Sequence, residues 1–217
     1  MIWLSLLLLL FLLATPTGAS IWPAPASWTT SGPTLPVEIA PNFRISIAVI
    51  SPTQAMLRAI ERYTSLLKFD RVAAKNTHAN TKTKAKTFTG LEITLNTTVT
   101  STSTPVSVKT APSTPTNFAF ADDESYTLSW DLDASPSFAL SAATWVGVLR
   151  GLETFAQLVE SDPVYRSVPL AVAHSKGKIT DSPRFVYRGL MMDLSRHFYP
   201  VSFIEHTIDA MAVSKLN

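Results

Sequence analysis

The sequence predicts an α+β domain over residues 20–180, a mixed sheet with two helices, followed by the opening strand and helix of a parallel β/α barrel over residues 181–217. Three observations carry this prediction. Strands of alternating hydrophobicity are mixed with two amphipathic helical stretches, without a regular βαβ rhythm. Composition and rhythm change at Asp181-Ser182-Pro183. From there an apolar run without alternation, Phe185 to Met192, leads into the polar stretch Asp193-Leu194-Ser195-Arg196-His197, and a helix-opening sequence follows at Ser202. An unalternating apolar strand suits burial on both faces, as in a parallel barrel.

The first residues stand apart. Ile2 to Ala14 is almost unbroken apolar sequence, and small residues follow at Thr17 and Ala19. Residues 1–19 therefore read as a signal peptide cleaved after Ala19. No Lys or Arg precedes the apolar core, so only the α-amino group supplies its positive end. An uncleaved anchor is the competing reading, and a span needs ~20 apolar residues.

In the α+β part, Ile21-Trp22-Pro23-Ala24-Pro25 is barred from helix, because each proline pushes its predecessor to extended geometry. Phe43 to Ile50 alternates as a strand, with Phe43, Ile45, Ile47 and Val49 on one side. Ser51-Pro52-Thr53-Gln54 opens a helix: Ser51 accepts the N–H of Gln54, and Pro52 stands in the first turn, where its missing N–H costs nothing. Met56, Leu57, Ile60, Tyr63, Thr64 and Leu67 form its packing face. Ala73 to Thr89 reads as a solvated loop, although the period-two run Thr81 to Lys86 also fits a lysine-edged strand.

Leu91 to Val99 is a second strand, with Leu91, Ile93 and Leu95 facing one way. Thr100 to Asn117 is rich in Ser, Thr and Pro and reads as a long mobile loop. Glu124 to Trp130 is a third strand. Ser141 is expected to cap a helix running through Val159, with Trp145, Leu149, Leu152, Phe155, Leu158 and Val159 on its apolar side. Val168 to Ala173 is a fourth, short strand. Beyond residue 181, Ser202-Phe203-Ile204-Glu205 has the form of a capping box, and the helix it opens packs through Ile204, Ile208, Met211 and Ala212.

A formal charge of +2 is too small to argue for nucleic acid, and a basic patch for another polyanion rests only on the lysine run. There is no cysteine, hence no disulfide, and a chain of this length builds a core without one. Asn96-Thr97-Thr98 is an N-glycosylation acceptor at a strand end; a chance match is the alternative.

Asp181-Ser182-Pro183-Arg184-Phe185, Arg188-Gly189, Asp193-Leu194-Ser195-Arg196-His197, Ile208-Asp209-Ala210-Met211-Ala212 and Lys215-Leu216-Asn217 together resemble the family-20 glycoside hydrolases, the exo-acting β-N-acetylhexosaminidases. The resemblance extends upstream through Glu124-Ser125-Tyr126-Thr127-Leu128, Arg150-Gly151-Leu152-Glu153-Thr154-Phe155 and Trp22-Pro23. It implies a non-catalytic α+β domain, then a (β/α)₈ TIM barrel of which this chain holds the first β/α unit. It implies removal of terminal N-acetylglucosamine or N-acetylgalactosamine by substrate-assisted retaining chemistry, without a cofactor. The sugar's own 2-acetamido oxygen attacks the anomeric carbon, a glutamic acid protonates the leaving oxygen, and a neighbouring aspartate orients the acetamido group. That Asp-Glu pair is expected beyond Asn217, so no catalytic residue is assigned here and the chain alone is expected to be inactive. A homodimer of the complete enzyme fits the resemblance. So does a secretory destination, extracellular or lysosomal/vacuolar.

Arg196 is the leading site candidate. It follows the end of the predicted barrel strand where barrel sites gather, and a guanidinium offers a planar fork of donors for adjacent hydroxyls. The resemblance implies that it grips the 3- and 4-hydroxyls of the terminal sugar. The alternative is an arginine paired with Asp193 to hold the loop. Asp193 is read as orienting Arg196, or as touching substrate itself. His197 is read as loop packing or support for Arg196; with no second ligand nearby in sequence, a metal site is not expected. Arg150 and Glu153, one turn apart, read as an intrahelical or interdomain pair, and Arg184 and Arg188 as contacts between domains. The competing function is a secreted, non-catalytic carbohydrate-binding or interaction domain.

Overall fold

The computed structural model describes residues 21–34, 37–48, 52, 54–74, 86–95, 123–161, 169–171 and 174–217. The expected signal peptide, the Ser51 cap, Thr81 to Ala85, Asn96 and the loop from Thr100 to Asn117 lie outside the described residues.

Among the described residues eight strands form one mixed sheet. They are β1 (Ser27–Thr34), β2 (Val37–Ala48), β3 (Lys86–Leu95), β4 (Tyr126–Asp131), β5 (Ser137–Ala142), β6 (Val159–Ser161), β7 (Pro169–Ala171) and β8 (His174–Asp181). Their spatial order is β1-β8-β4-β5-β3-β2-β7-β6. β2, β3 and β5 run parallel, and the other neighbours pair antiparallel. Helix α1 (Gln54–Ala74) connects β2 to its parallel neighbour β3, and α2 (Trp145–Leu158) follows β5. A third helix, α3 (Val201–Val213), lies beyond the sheet in sequence.

The core follows from the pleat. Alternate residues of β4, Tyr126, Leu128 and Trp130, are buried, and so are Phe138, Leu140 and Ala142 of β5. Register places Leu91 beside Phe138, Ile93 beside Leu140, and Leu128 beside both Leu140 and Ile179. Helices cover this face with Met56, Tyr63 and Leu67 from α1 and Val148, Leu152, Phe155 and Leu158 from α2. Ile45, Ile47 and Ile60 pack against the same cluster, in keeping with their expected faces. Leu57 is more exposed than the sequence suggests.

Several expectations are corrected. Ser141 caps no helix. It sits in β5, paired with both Thr94 and Thr127, because the Phe138-Leu140-Ala142 alternation is held between two neighbouring strands. The cap is Thr144, whose Oγ accepts the N–H of Gly147 at 3.2 Å. The sequence pattern does not anticipate β1, β5, β6 and β8; β1 and β8 are polar or glycine-bearing and are specified by their neighbours. In β8, Gly177 lies against the Trp130 ring, which a Cβ would overlap. Gly177→Ala is therefore expected to destabilise the sheet by about 1–3 kcal/mol through overpacking. A thermal melt followed by tryptophan fluorescence checks it; an unchanged melting temperature would show that the ring can move aside.

Phe185 to Met192 forms no buried strand. Phe185, Tyr187, Leu190 and Met191 are exposed. A strand needs a ladder, and here the main chain is met by the Arg188 guanidinium and by Asn217 instead. Arg188 N–H donates to Asn217 Oδ1 (2.9 Å), Asn217 Nδ2 donates to the Val186 carbonyl (2.7 Å), and Asn217 N–H donates to the Arg188 carbonyl (3.3 Å). The capping box at Ser202 is also absent. The helix begins at Val201, with Pro200 as the cap residue two positions before Ser202 and no side-chain bond, and Ser202 lies within it. No residue of α3 is buried, so its expected packing through Ile208 is not made among the described residues.

Candidate functional site

Two polar clusters join the sheet and α2 to residues 182–217, around a cavity of about 540 Å³. In the first, Glu124 precedes β4 and is buried. One of its oxygens accepts from Arg150 Nε of α2 (2.7 Å) and from Arg188 Nη2 (2.5 Å). Each arginine also donates to backbone carbonyls of the far segment. Arg150 reaches Leu216 (3.2 Å), and Arg188 reaches Lys215 (2.9 Å) and Phe185 (2.7 Å). A single carboxylate between two guanidiniums leaves excess positive charge, which these carbonyl dipoles offset.

In the second cluster, Lys215 Nζ is buried. It donates to Thr154 Oγ1 (2.6 Å), Tyr126 Oη (2.9 Å) and Asp181 Oδ2 (3.2 Å). Tyr126 donates to the same Asp181 oxygen at 2.9 Å, and the other Asp181 oxygen accepts the N–H of Ala26 at 3.1 Å. Burial pushes the Lys215 ammonium below the ordinary lysine value, and Asp181 opposes that shift. Burial also raises the Tyr126 phenol, so it remains protonated and available as a donor.

Arg150 does not pair with Glu153. Glu124 meets Arg150, while Glu153 turns toward α1 and accepts from Tyr63 Oη (2.7 Å) and Gln157 Nε2 (3.0 Å). Arg184 stands 5.6 Å over the Phe185 ring. In the sequence, nothing marks Tyr126, Thr154, Asp181 and Lys215 as partners. The one signal is a charge standing next to an apolar stretch, which does not identify what it meets.

Asp193, Arg196 and His197 are placed together on the loop before α3. Asp193 Oδ1 accepts the N–H groups of Ser195 (3.0 Å) and Arg196 (3.1 Å), while Oδ2 lies 3.3 Å from Arg196 Nε. The carboxylate thus shapes the turn and steadies the guanidinium. Arg196 remains 85% exposed, which leaves the rest of its fork open to solvent. His197 is exposed beside it. Among the described residues no group of three or more His, Cys, Asp or Glu converges as a metal site. Among the same residues no helix is long and apolar enough to cross a membrane.

Comparison with known proteins assigns this helix-covered mixed sheet and its arginine-bearing loop to the sugar hydrolases. Residues 21–158 match the family model described as beta-acetyl hexosaminidase like, and residues 185–217 match the model of the glycosyl hydrolase family 20 catalytic domain. The chain belongs to glycoside hydrolase family 20. It is 46% identical over 97 residues to beta-hexosaminidase subunit beta of Homo sapiens, covering 45% of this chain and 16% of that protein. It is 43% identical over 99 residues to beta-hexosaminidase 1 of Arabidopsis thaliana, covering 44% and 18%. The chain thus spans less than a fifth of the length of these relatives. Among solved structures, the chitobiase of Flavobacterium johnsoniae superposes with a TM-score of 0.61 at 25% identity, over 91% of this chain and 26% of that one. The family-20 β-N-acetylhexosaminidase of Streptomyces coelicolor shares the fold, with a TM-score of 0.56 at 22% identity over 91% and 33%.

Proposed function

We propose that this chain forms the N-terminal part of an exo-acting β-N-acetylhexosaminidase. It supplies the non-catalytic α+β domain, to about residue 180, and the first β/α unit of a (β/α)₈ barrel from residue 181. The observation that carries this reading is the order of the two family matches, with Arg196 exposed within the second. The complete enzyme would remove terminal N-acetylglucosamine or N-acetylgalactosamine from glycoconjugates or chitooligosaccharides.

In that enzyme Arg196 grips the 3- and 4-hydroxyls of the terminal sugar, and Asp193 holds the guanidinium in orientation. Closing the pocket around the terminal residue makes cleavage exo. The acetamido oxygen of the sugar is the nucleophile; the acid and the orienting aspartate come from the remaining length of the protein. No carboxylate of this chain takes their place. A secretory route and glycosylation at Asn96 accompany the proposal, supported by the apolar opening residues and the Asn96-Thr97-Thr98 acceptor; a homodimeric complete enzyme rests on the family resemblance alone.

The test is hydrolysis of an aryl N-acetylglucosaminide, by the purified chain and by the chain joined to the reading frame beyond the Asn217 codon. Turnover is expected only from the longer protein. Turnover by the chain itself, with host glycosidases removed, overturns the assignment of the acid to the missing length. In the longer protein Arg196→Lys keeps the charge and loses the fork. Losing one charged hydrogen bond of roughly 1.5–3 kcal/mol is expected to weaken terminal-sugar affinity about ten- to a hundredfold. A substrate lacking the 3- or 4-hydroxyl is expected to lose less. Equal losses for all substrates, with a lowered melting temperature, would mean that Arg196 serves only its pair with Asp193.

A further inference from the structure

Lys215 occupies a position that its backbone disfavours. α3 ends at Val213, and Lys215 stands two residues later at φ 55°, in the left-handed region. The N–H groups of Lys215 and Leu216 return to the carbonyls of Ala212 (3.1 Å) and Met211 (2.9 Å). This pair of hydrogen bonds is the pattern of a glycine-type helix stop, where a side chain is strained and glycine is not. The strained residue is nevertheless a lysine, and the only residue after Asp181 that is buried. Its ammonium meets three oxygens from three separate elements: Tyr126 in β4, Thr154 in α2 and Asp181 at the end of β8. The start of the same segment is tied through Arg188, which meets Glu124 and also donates to the Lys215 carbonyl, so the two ends are held side by side.

We infer that Tyr126, Thr154 and Asp181 form a socket for Lys215, and that Lys215 is a positioning residue for the loop carrying Asp193 and Arg196. The loop lies between the two anchors, Arg188 and Lys215. Anchoring both ends sets its place and tilt relative to the sheet, which makes the α+β domain a jig for the sugar-gripping arginine. Local strain retained where a buried contact depends on it is the expected signature of such a device. The inference rests on the proposed role of Arg196 for its functional meaning, whereas the socket itself is tested without sugar.

Two measurements on the chain test it. In the first, competitive acetylation read by mass spectrometry, Lys215 is expected to react at least about tenfold more slowly than exposed Lys178, since its amine opens to solvent only when the segment lifts away. In the second, Lys215→Gly relieves the left-handed strain and removes the amine. Hydrogen exchange in peptides covering 185–192 and 201–213 is expected to rise by about tenfold, with β4 and β5 peptides unchanged. Acetylation of Lys215 as fast as that of Lys178 overturns the socket. Exchange that is unchanged or slower in Lys215→Gly makes Lys215 a turn residue only. Equal loosening of β4 and β5 makes the cluster part of the sheet core and overturns the positioning role. If the socket stands while Arg196→Lys leaves sugar affinity untouched, the reading of Arg196 fails and the socket remains.

Discussion

Phe155→Ala is expected to cost the α+β domain about 3–5 kcal/mol, the range for truncating a buried phenylalanine. Phe155 is fully buried on α2 and meets three other rings. Its centroid lies 5.2 Å from Phe138 of β5, 6.1 Å from Phe43 of β2 and 6.2 Å from Phe88 of β3. These rings come from three different strands, so no single shift of α2 fills the void. The cavity persists, and both transfer free energy and ring contacts are lost. Such a loss is a large part of the 5–15 kcal/mol typical of a domain. Urea unfolding followed by tryptophan fluorescence measures it. A loss below about 1 kcal/mol would show that the helix collapses onto the sheet and that this packing is not what holds it.

Asp181→Ala and Lys215→Met are expected to differ sharply, although they break the same ion pair. Removing Asp181 leaves a buried ammonium facing only the oxygens of Tyr126 and Thr154, and breaking a buried pair this way costs about 3–5 kcal/mol. The cost is capped by the docking energy of residues 182–217, because the segment can lift and return Lys215 to water. Lys215→Met substitutes an apolar stem of similar reach. Asp181 then retains the Ala26 N–H and the Tyr126 hydroxyl. Limited proteolysis within residues 185–213 reports the difference. Faster cutting in Asp181→Ala than in Lys215→Met is expected, and the reverse order would mean that the aspartate, not the lysine, is the costly buried charge.

The pH dependence has a definite sign. The folded-state pKa of Lys215 lies below the ordinary lysine value of 10.5, with burial as the main cause. Between those two values the unfolded chain binds more protons, so the contribution of Lys215 becomes more favourable as pH rises. It is fully present above 10.5 and is lost as pH falls through the folded value. Tyr63 and Tyr126 act oppositely, since burial raises both phenols above 10.0 and their contribution is lost as pH rises beyond that value. The stability difference between wild type and Lys215→Met, compared at about pH 7 and about pH 10, isolates the lysine and is expected to shift toward wild type at the higher pH. A shift the other way would show that the pair with Asp181 outweighs burial.

Local pattern made part of this fold legible. Phe43-Ile45-Ile47, Leu91-Ile93 and Tyr126-Leu128-Trp130 declare strands because alternate side chains of a pleat share one environment. Met56, Tyr63 and Leu67 declare a helix face for the same kind of reason. β8 was hidden because His174-Ser175-Lys176-Gly177-Lys178 has little strand propensity of its own; it is held between β1 and β4, and its glycine answers the bulk of Trp130. Ser141 misled because a capping side chain and a strand residue look alike until the neighbouring strands are known. Phe185 to Met192 misled in the opposite sense. Apolar sequence states what a segment can bury, and a strand exists only where a ladder is formed.

What the sequence determined by itself was the class of the domain, the faces of its two helices and its main strands, and the nearness of Asp193 to Arg196, three residues apart. These depend on residues within a few positions of one another. Only the tertiary structure decided which charges meet. Glu124 takes Arg150 and Arg188 across 26 and 64 residues, and Lys215 reaches Asp181, Thr154 and Tyr126 across 34, 61 and 89. A carboxylate has no sequence preference among distant cations. Its partner is set by the geometry of the sheet and α2, and by the cost of leaving any of these groups buried alone.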